Sequence, residues 1–168
     1  AEKFMWHDYP VTQLGGVQGG LPDFMAGIHH LGDGLDCEHY VTRLSQVPEY
    51  FAQAERQLDK RASLDVITPR FALEGALLQI NKFLDTAPED NVLYASYIGR
   101  ISELEDEGKA DCEALGPQVL STISASVFPA YENLRTRIEA LLEKTDTNHG
   151  VWKLPDGDEY YAVKLREH

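Results

Sequence analysis

The chain has 168 residues, of which 43% are apolar, so it is long enough to bury one hydrophobic core and is not disordered as a whole. Its 15 lysines and arginines against 28 aspartates and glutamates give a net charge of −13, which repels nucleic-acid phosphates and anionic lipid headgroups. No apolar stretch approaches the ~18 residues of a membrane helix. Composition therefore excludes nucleic acid as an expected partner, and it excludes membrane insertion.

Residues 1–34 are rich in glycine, which leaves little room for a long regular element and predicts an irregular N-terminal arm. The arm also contains several large side chains, namely Phe4, Trp6, Tyr9, Phe24 and Met25. So much aromatic surface predicts that the arm packs against the body of the protein.

The first helical pattern begins at Leu35-Asp36, with Asp36 as the expected N-cap and with Leu35 and Tyr40 at the positions of a hydrophobic staple. Pro48 then marks either a kink or the first turn of a second helix. Thr68-Pro69 predicts the start of another helix, whose apolar residues recur at helical spacing: Leu73, Ala76, Leu77, Ile80 and Leu84.

A further amphipathic pattern runs from Leu93 to Leu104 and ends at Gly108, just after the acidic run Glu103, Glu105, Asp106 and Glu107. Carboxylates at a helix C-terminus oppose the macrodipole, so we expect a solvated acidic end there. The longest pattern runs from Leu115 to Leu141 and should be kinked at Pro129.

The tail, residues 147–168, changes character. Residues 150–157 predict a short extended piece and a turn, and Glu159 opens a final helix. Because no repeat or interdomain linker is evident, we expect an all-α fold, an antiparallel bundle of about five helices. The expected divisions are the irregular arm 1–34, the helical body 35–146 and the tail 147–168.

Potential metal ligands are densest at His29, His30, Asp33, Asp36, Cys37 and His39. Imidazole, thiolate and carboxylate suit zinc, but the spacing matches no metal motif, and adjacent histidines point apart on a helix. A polar loop with Asp36 as a helix cap is the favoured interpretation. No metal is assigned, and His29, His30, Cys37 and His39 stay as weak candidates.

Sequence motifs for nucleophilic catalysis and phosphate binding are absent. No serine stands in a GxSxG motif, and Ser121, Ser124 and Ser126 lie on a predicted helix, where hydroxyls usually bond to the preceding turn. We therefore assign no catalytic residue. The cysteines Cys37 and Cys112 form no CxxC pair, and both a disulfide and two reduced buried thiols remain open.

Aromatic rings surround the turn at Pro155. Trp152, Tyr160 and Tyr161 could line a substrate cleft or plug the end of a helical bundle, and their size favours the plug.

The residues Gly150 to Gly157, followed by Tyr160-Tyr161 and Leu165-Arg166-Glu167-His168, resemble the G-x-W-x-L-P-D-G-x-x-Y-Y and L-R-x-H-T-T stretch of the bacterial "domain of unknown function 885" family. Two upstream segments are similar to the family in the same order. They are Tyr40 to Pro48, which matches Y-x-x-R-L-x-x-x-P, and Val127 to Tyr131, which matches V-x-P-A-Y.

The resemblance implies that this chain is an N-terminal, non-catalytic segment of a longer helical protein. That longer protein is expected to be exported, either periplasmic or lipid-anchored, and to be similar to zinc metallopeptidases. Such proteins carry HExxH in a later region, whereas no histidine of this chain is followed by Glu-x-x-His. Zinc is therefore expected only in the parent protein. Within this chain, the resemblance implies a cleft wall near Trp152, Tyr160 and Tyr161.

The alternative is an autonomous helical module that binds a partner protein through an exposed apolar face. The expected partners are the remaining part of the same protein, a peptide substrate, or a second copy of the chain in a homodimer. A large apolar patch or dimerisation would indicate a segment separated from its other half, and a well-covered monomer would indicate an independent module.

Overall fold

Helices form all the regular structure in residues 2–166, which are the residues that the computed structural model describes, apart from the side chains of Glu2, Asp106 and Glu107. The all-α prediction is therefore confirmed. The α-helices are α1 (Val17–Asp23), α2 (Gly34–Ser45), α3 (Val47–Ala62), α4 (Arg70–Leu84), α5 (Val92–Ile101), α6 (Asp106–Thr122), α7 (Phe128–Leu142) and α8 (Gly157–Arg166). Two π turns (Phe24–Ile28 and Ile123–Val127) and two 3₁₀ turns (Glu2–Phe4 and Val151–Lys153) connect them.

The glycine-rich arm is not irregular throughout, because it contains α1 and the π turn Phe24–Ile28. Glycine disfavours a helix, but here Leu21 and Met25 are buried in the core, and that burial outweighs the propensity cost. Gly16 is the N-cap residue of α1 with φ of 142°, a conformation that side chains rarely adopt. The prediction of an irregular arm was thus wrong for residues 17–28.

The arm does pack against the body, as its aromatic content predicts. The guanidinium of Arg61 on α3 is buried and donates to the Asp8 carboxylate at 2.6 Å and to the Asp8 carbonyl at 2.8 Å. The Trp6 ring lies 5.1 Å from the same guanidinium. These contacts fix residues 6–8 against α3.

The N-cap of α2 is Asp33, whose carboxylate accepts from the Asp36 amide at 3.0 Å. The prediction of Asp36 as the N-cap was therefore wrong by about one helical turn. Leu35 is exposed, so the expected hydrophobic staple between Leu35 and Tyr40 does not form. Pro48 lies in the first turn of α3, where its missing N–H costs no hydrogen bond.

Cys37 on α2 and Cys112 on α6 form a disulfide, which resolves the alternative left open by the sequence. Their Cα atoms are 5.5 Å apart, and α2 and α6 pack closely along the same face. The pairing closes a loop across 75 residues of sequence.

The acidic run before Gly108 lies at the start of a helix rather than at the end of one. Helix α5 ends at Ile101, and Glu105 is the N-cap residue of α6. Negative charge at an N-terminus is favourable, so the expected opposition to the macrodipole does not arise. By contrast, the predicted start at Thr68-Pro69 is correct, because Pro69 is the N-cap residue of α4.

Residues 106–142 run without a break through α6, the π turn Ile123–Val127 and α7. Pro129 has no amide hydrogen for a bond to the preceding turn, and the wider π turn lies directly before it. This irregularity is where the sequence predicts a kink. Helices α3 and α4 pack on α7 to enclose the core.

The tail departs from prediction as well. The expected extended piece is instead the 3₁₀ turn Val151–Lys153, and the final helix begins at Gly157, two residues before Glu159. Glu167 and His168, which complete the family-like motif, lie outside the described residues.

Candidate functional site

The turn before α8 has a backbone path that leaves no room for a side chain at Gly157. A Cβ on Gly157 would lie 2.2 Å from the Val151 carbonyl oxygen, and a Cβ on Gly150 would lie 2.1 Å from the Trp152 ring. Asp156 has a φ of 52°, in the left-handed region. Gly157 of the family-like motif is therefore needed for the close backbone approach, whereas the contact at Gly150 is with the exposed Trp152 ring, which can move.

The N-terminal turn holds this segment in place. His7 Nε2 donates to the Pro155 carbonyl oxygen at 2.8 Å, and the Tyr160 ring centroid lies 5.0 Å from that of His7. The Lys3 ammonium lies 3.1 Å from the Asp156 carboxylate and 2.5 Å from that of Glu159. Residues 3–7 thus pack against residues 155–160 and hold the turn in place.

The three aromatic residues of the tail have different environments. Tyr160 is half-buried against Phe4 and His7, whereas the side chains of Trp152 and Tyr161 are 71% and 55% exposed. The exposure of Trp152 and Tyr161 does not match the favoured plug, whose rings would be buried at the end of the bundle.

The predicted ligand cluster is taken up by structural contacts. His29 is buried, with Nε2 donating to the Asp36 carbonyl at 3.2 Å and Nδ1 accepting from Arg43 Nη1 at 2.8 Å. Burial lowers the pKa of His29 from its usual value, and the nearby charges of Arg43 and Arg100 lower it further. Both ring nitrogens of His29 are therefore occupied, and the ring favours its neutral form.

The remaining members of that cluster do not converge. Asp33 and Asp36 accept from backbone amides, and the exposed His30 ring lies 3.6 Å from the Asp36 carboxylate. Cys37 is in the disulfide, so it offers no thiolate, and His39 is exposed. Among the described residues, no group of three His, Cys, Asp or Glu side chains could hold a metal ion.

A cavity that sequence reasoning missed lies between α1, the π turn Phe24–Ile28 and the junction of α2 with α3. Its volume is about 470 Å³, and its wall includes Phe24, Met25, Arg43, Val47 and Tyr50. Arg43 belongs to the Y-x-x-R-L segment, and this family-like motif was the one feature of the sequence that pointed to a cavity residue. Its lining comes from four separate elements, so spacing alone could not reveal it.

Hydroxyl groups on α6 and the following π turn offer no activated nucleophile. Ser121 donates to the Gln118 carbonyl at 3.0 Å and Ser124 donates to the Leu120 carbonyl at 3.1 Å, as expected for serines on a helix. The groups available for contacts are aromatic rings at the turn before α8, and aromatic rings with the guanidinium of Arg43 at the cavity.

These observations define a class: an all-helical, disulfide-linked segment with exposed aromatic residues on a rigid turn. The family described as "Bacterial protein of unknown function (DUF885)" matches residues 1–168, so the chain belongs to that family. No curated protein matches the sequence.

A crystal structure of a "putative lipoprotein" from Colwellia psychrerythraea has the same fold, with a TM-score of 0.89 at 21% sequence identity. The match covers 95% of this chain and 27% of that chain, so the present sequence spans about a quarter of the length of its structural neighbour. In residues 2–166, no helix combines the length and the apolar character needed to cross a membrane.

Proposed function

We propose that this chain is the N-terminal helical segment of an exported bacterial metallopeptidase-like protein, in which it supplies scaffold and one wall of the substrate cleft. The observation that carries the proposal is the combination of a rigid turn with two exposed aromatic side chains, Trp152 and Tyr161. Amphipathic rings on a preorganised backbone bind partners at low entropic cost.

The relation to the structural neighbour supports a role within a larger protein. The same fold occupies only 27% of that neighbour, so a further region can lie against the exposed aromatic surface. Leu165 on α8 is also 61% exposed, which extends the apolar surface beyond Tyr161. We propose that Trp152 and Tyr161 face the substrate, with Tyr160 supporting them from behind.

Zinc does not fit the residues present here. His29 uses both ring nitrogens, Cys37 is oxidised, and Asp33 and Asp36 cap backbone amides. The zinc implied by the family resemblance would have to be held by another region of the parent protein. No catalytic step is assigned to this chain.

Export or lipid anchoring is proposed on two grounds. The structural neighbour is described as a lipoprotein, and a disulfide such as Cys37–Cys112 persists in oxidising compartments. A cytoplasmic location would expose the disulfide to reducing thiols.

The test compares peptide hydrolysis by this chain and by a longer family protein that contains an HExxH helix, each assayed with zinc over a mixed peptide library. The proposal expects cleavage by the longer protein, loss of that cleavage with a chelator, and no cleavage by this chain. Zinc-dependent cleavage by this chain alone would overturn it.

The autonomous interaction module remains the second candidate, because α4 exposes Leu78 by 72% and Phe71 by 51%. An independent module predicts a monomer that captures a partner protein through α4, whereas a segment separated from its other half predicts self-association through its exposed apolar side chains. Light scattering distinguishes the two: a monomer supports the module, and a dimer that dissociates in Leu78→Asp supports the separated segment.

A further inference from the structure

The cavity of about 470 Å³ is within the size range of small-molecule sites. Its apolar wall includes the buried residues Leu21, Met25 and Val47, and the partly exposed rings of Phe24 and Tyr50 also line it. Such a wall favours an apolar group of modest size.

Arg43 brings a positive charge to this apolar cavity. Its guanidinium carbon lies 5.3 Å from the centroid of the Phe24 ring, and Nη1 donates to His29 Nδ1 at 2.8 Å. An arginine carries five N–H donors, and in the part of the chain that the structure describes Arg43 makes no ion pair with a carboxylate. Further N–H groups can therefore serve a bound anion.

Buried contacts hold the His29 ring that contacts Arg43. The His29 ring donates from Nε2 to the Asp36 carbonyl, which leaves Nδ1 as the acceptor for Arg43. The ring also packs 5.2 Å from that of Tyr40, and Arg100 donates to the His29 carbonyl. One N–H of Arg43 is thus fixed by a buried ring, which limits the entropy lost when a ligand binds.

We propose that this cavity binds a small carboxylate that carries one apolar group. The apolar group packs on Leu21, Met25 and Val47, and the carboxylate accepts from the guanidinium of Arg43. A net charge of −13 repels anions at long range, so recognition depends on this local guanidinium and on burial of the apolar group. The inference is independent of the proposed peptidase context, because every residue of the site belongs to this chain.

Three matched probes test the proposal by isothermal titration calorimetry on the 168-residue chain. N-acetylphenylalanine has both a carboxylate and an apolar side chain. N-acetylphenylalaninamide lacks the carboxylate, and N-acetylglycine lacks the apolar side chain. We expect N-acetylphenylalanine to bind and the other two to bind at least about tenfold more weakly, the loss expected for one charge-assisted hydrogen bond or one buried side chain. Equal binding of the acid and the amide, or no binding of the acid at millimolar concentration, would overturn the proposal.

Variants identify the cation that binds the carboxylate. Arg43→Gln should weaken binding of N-acetylphenylalanine by about tenfold or more, and Arg43→Lys should weaken it less because the charge remains. Arg56→Gln is the matched control, since Arg56 is an exposed arginine on α3 that pairs with Glu49 and does not line the cavity. Equal weakening by Arg56→Gln and Arg43→Gln would refute the site. If Arg43→Gln does not fold, the comparison of acid with amide on the unmodified chain decides.

Discussion

Three buried tyrosines connect separate parts of the fold through their hydroxyl groups. Tyr40 donates to the Leu93 carbonyl at 2.8 Å, Tyr97 donates to the Cys112 carbonyl at 2.7 Å, and Tyr131 donates to the Gln18 carbonyl at 2.7 Å. Burial raises the pKa of Tyr97 to about 12 and raises the pKa values of Tyr40 and Tyr131 as well, so all three remain protonated donors at neutral pH. Each ring fills the core while its hydroxyl satisfies a carbonyl on another segment.

Tyr131→Phe should lower the free energy of unfolding by about 1–2 kcal/mol, because the Gln18 carbonyl loses its donor while the ring still stacks on Phe83. Urea denaturation followed by circular dichroism measures the change. Tyr161→Phe is the control, since the Tyr161 side chain is exposed and its variant should match the parent chain. Equal effects of the two substitutions would contradict the assigned role of the Tyr131 hydroxyl.

His29 makes stability depend on pH in a defined direction. Burial lowers its folded-state pKa below the usual value of 6.5, so the unfolded chain binds the proton more readily. The stability that the neutral His29 ring contributes is fully present above the pKa of His29 in the unfolded chain. It is lost as the pH falls from that value through the lower pKa of His29 in the folded chain. Protonation also removes the Nδ1 acceptor for Arg43.

We therefore expect His29→Gln to reduce the difference between the unfolding free energies at pH 7 and pH 5. Urea denaturation at the two pH values measures this difference. His30→Gln is the control for replacing the neighbouring histidine, because the His30 side chain is 82% exposed and makes none of the buried contacts of His29. An unchanged difference in His29→Gln would mean that His29 does not titrate in this range.

Among the elements, the start of α8 depends on a glycine, because Gly157 lies against backbone atoms of the preceding 3₁₀ turn. A side chain at Gly157 would meet the Val151 carbonyl and the Trp152 backbone, so the 3₁₀ turn Val151–Lys153 and the start of α8 would have to separate. Gly99 in α5 has open space at the corresponding position and lies inside a regular helix.

Gly157→Ala should lower the free energy of unfolding and increase amide hydrogen exchange in residues 150–160, through the steric conflict at Val151. Gly99→Ala should instead raise the free energy of unfolding by about 0.5–1 kcal/mol, because alanine favours a helix more than glycine does. Hydrogen exchange and urea denaturation measure both variants. A tolerated Gly157→Ala would contradict the close backbone approach.

Much of the helical pattern could be read from the sequence where apolar spacing and a start residue coincide. Pro69 before α4 and the long pattern through α6 and α7 are examples. The helix α1 could not be read, because its glycines oppose a helix and the compensating burial of Leu21 exists only in the folded chain. The pairing of Cys37 with Cys112 likewise depends on how α2 packs on α6.

For the site, the motif around Trp152 could be found by its resemblance to the family, but its exposure could not. In the structure Phe4 and His7 pack on Tyr160 and leave Trp152 and Tyr161 exposed, and contacts between the two ends of the chain cannot be predicted from local spacing. The Arg43 cavity was missed because its lining residues are distant in sequence and ordinary in type.

At the scale of the whole molecule, the disulfide links the N-terminal third of the chain to the long helix that forms its centre. Replacing both cysteines, in Cys37→Ala with Cys112→Ala, should lower the free energy of unfolding by about 4 kcal/mol, since the unfolded chain regains the entropy of a 75-residue loop. Urea denaturation measures the loss. Two titratable thiols in the unfolded, unreduced parent chain would contradict the pairing.

The final prediction concerns the proposed role of this segment as a wall of the substrate cleft in a larger protein. If Trp152 contributes to a substrate cleft and takes no part in the chemistry, its truncation should weaken substrate binding and leave the chemical step nearly unchanged. Leu78 on α4 is equally exposed, at 72% against 71%, and serves as the matched control.

The most direct measurement is the steady-state kinetics of peptide hydrolysis by the longer family protein carrying Trp152→Ala or Leu78→Ala. Our account predicts a KM raised several-fold by Trp152→Ala with kcat within about twofold of the parent, and no change in Leu78→Ala. An unchanged KM in Trp152→Ala, or equal effects of the two variants, would contradict the proposal that this segment forms a wall of the cleft.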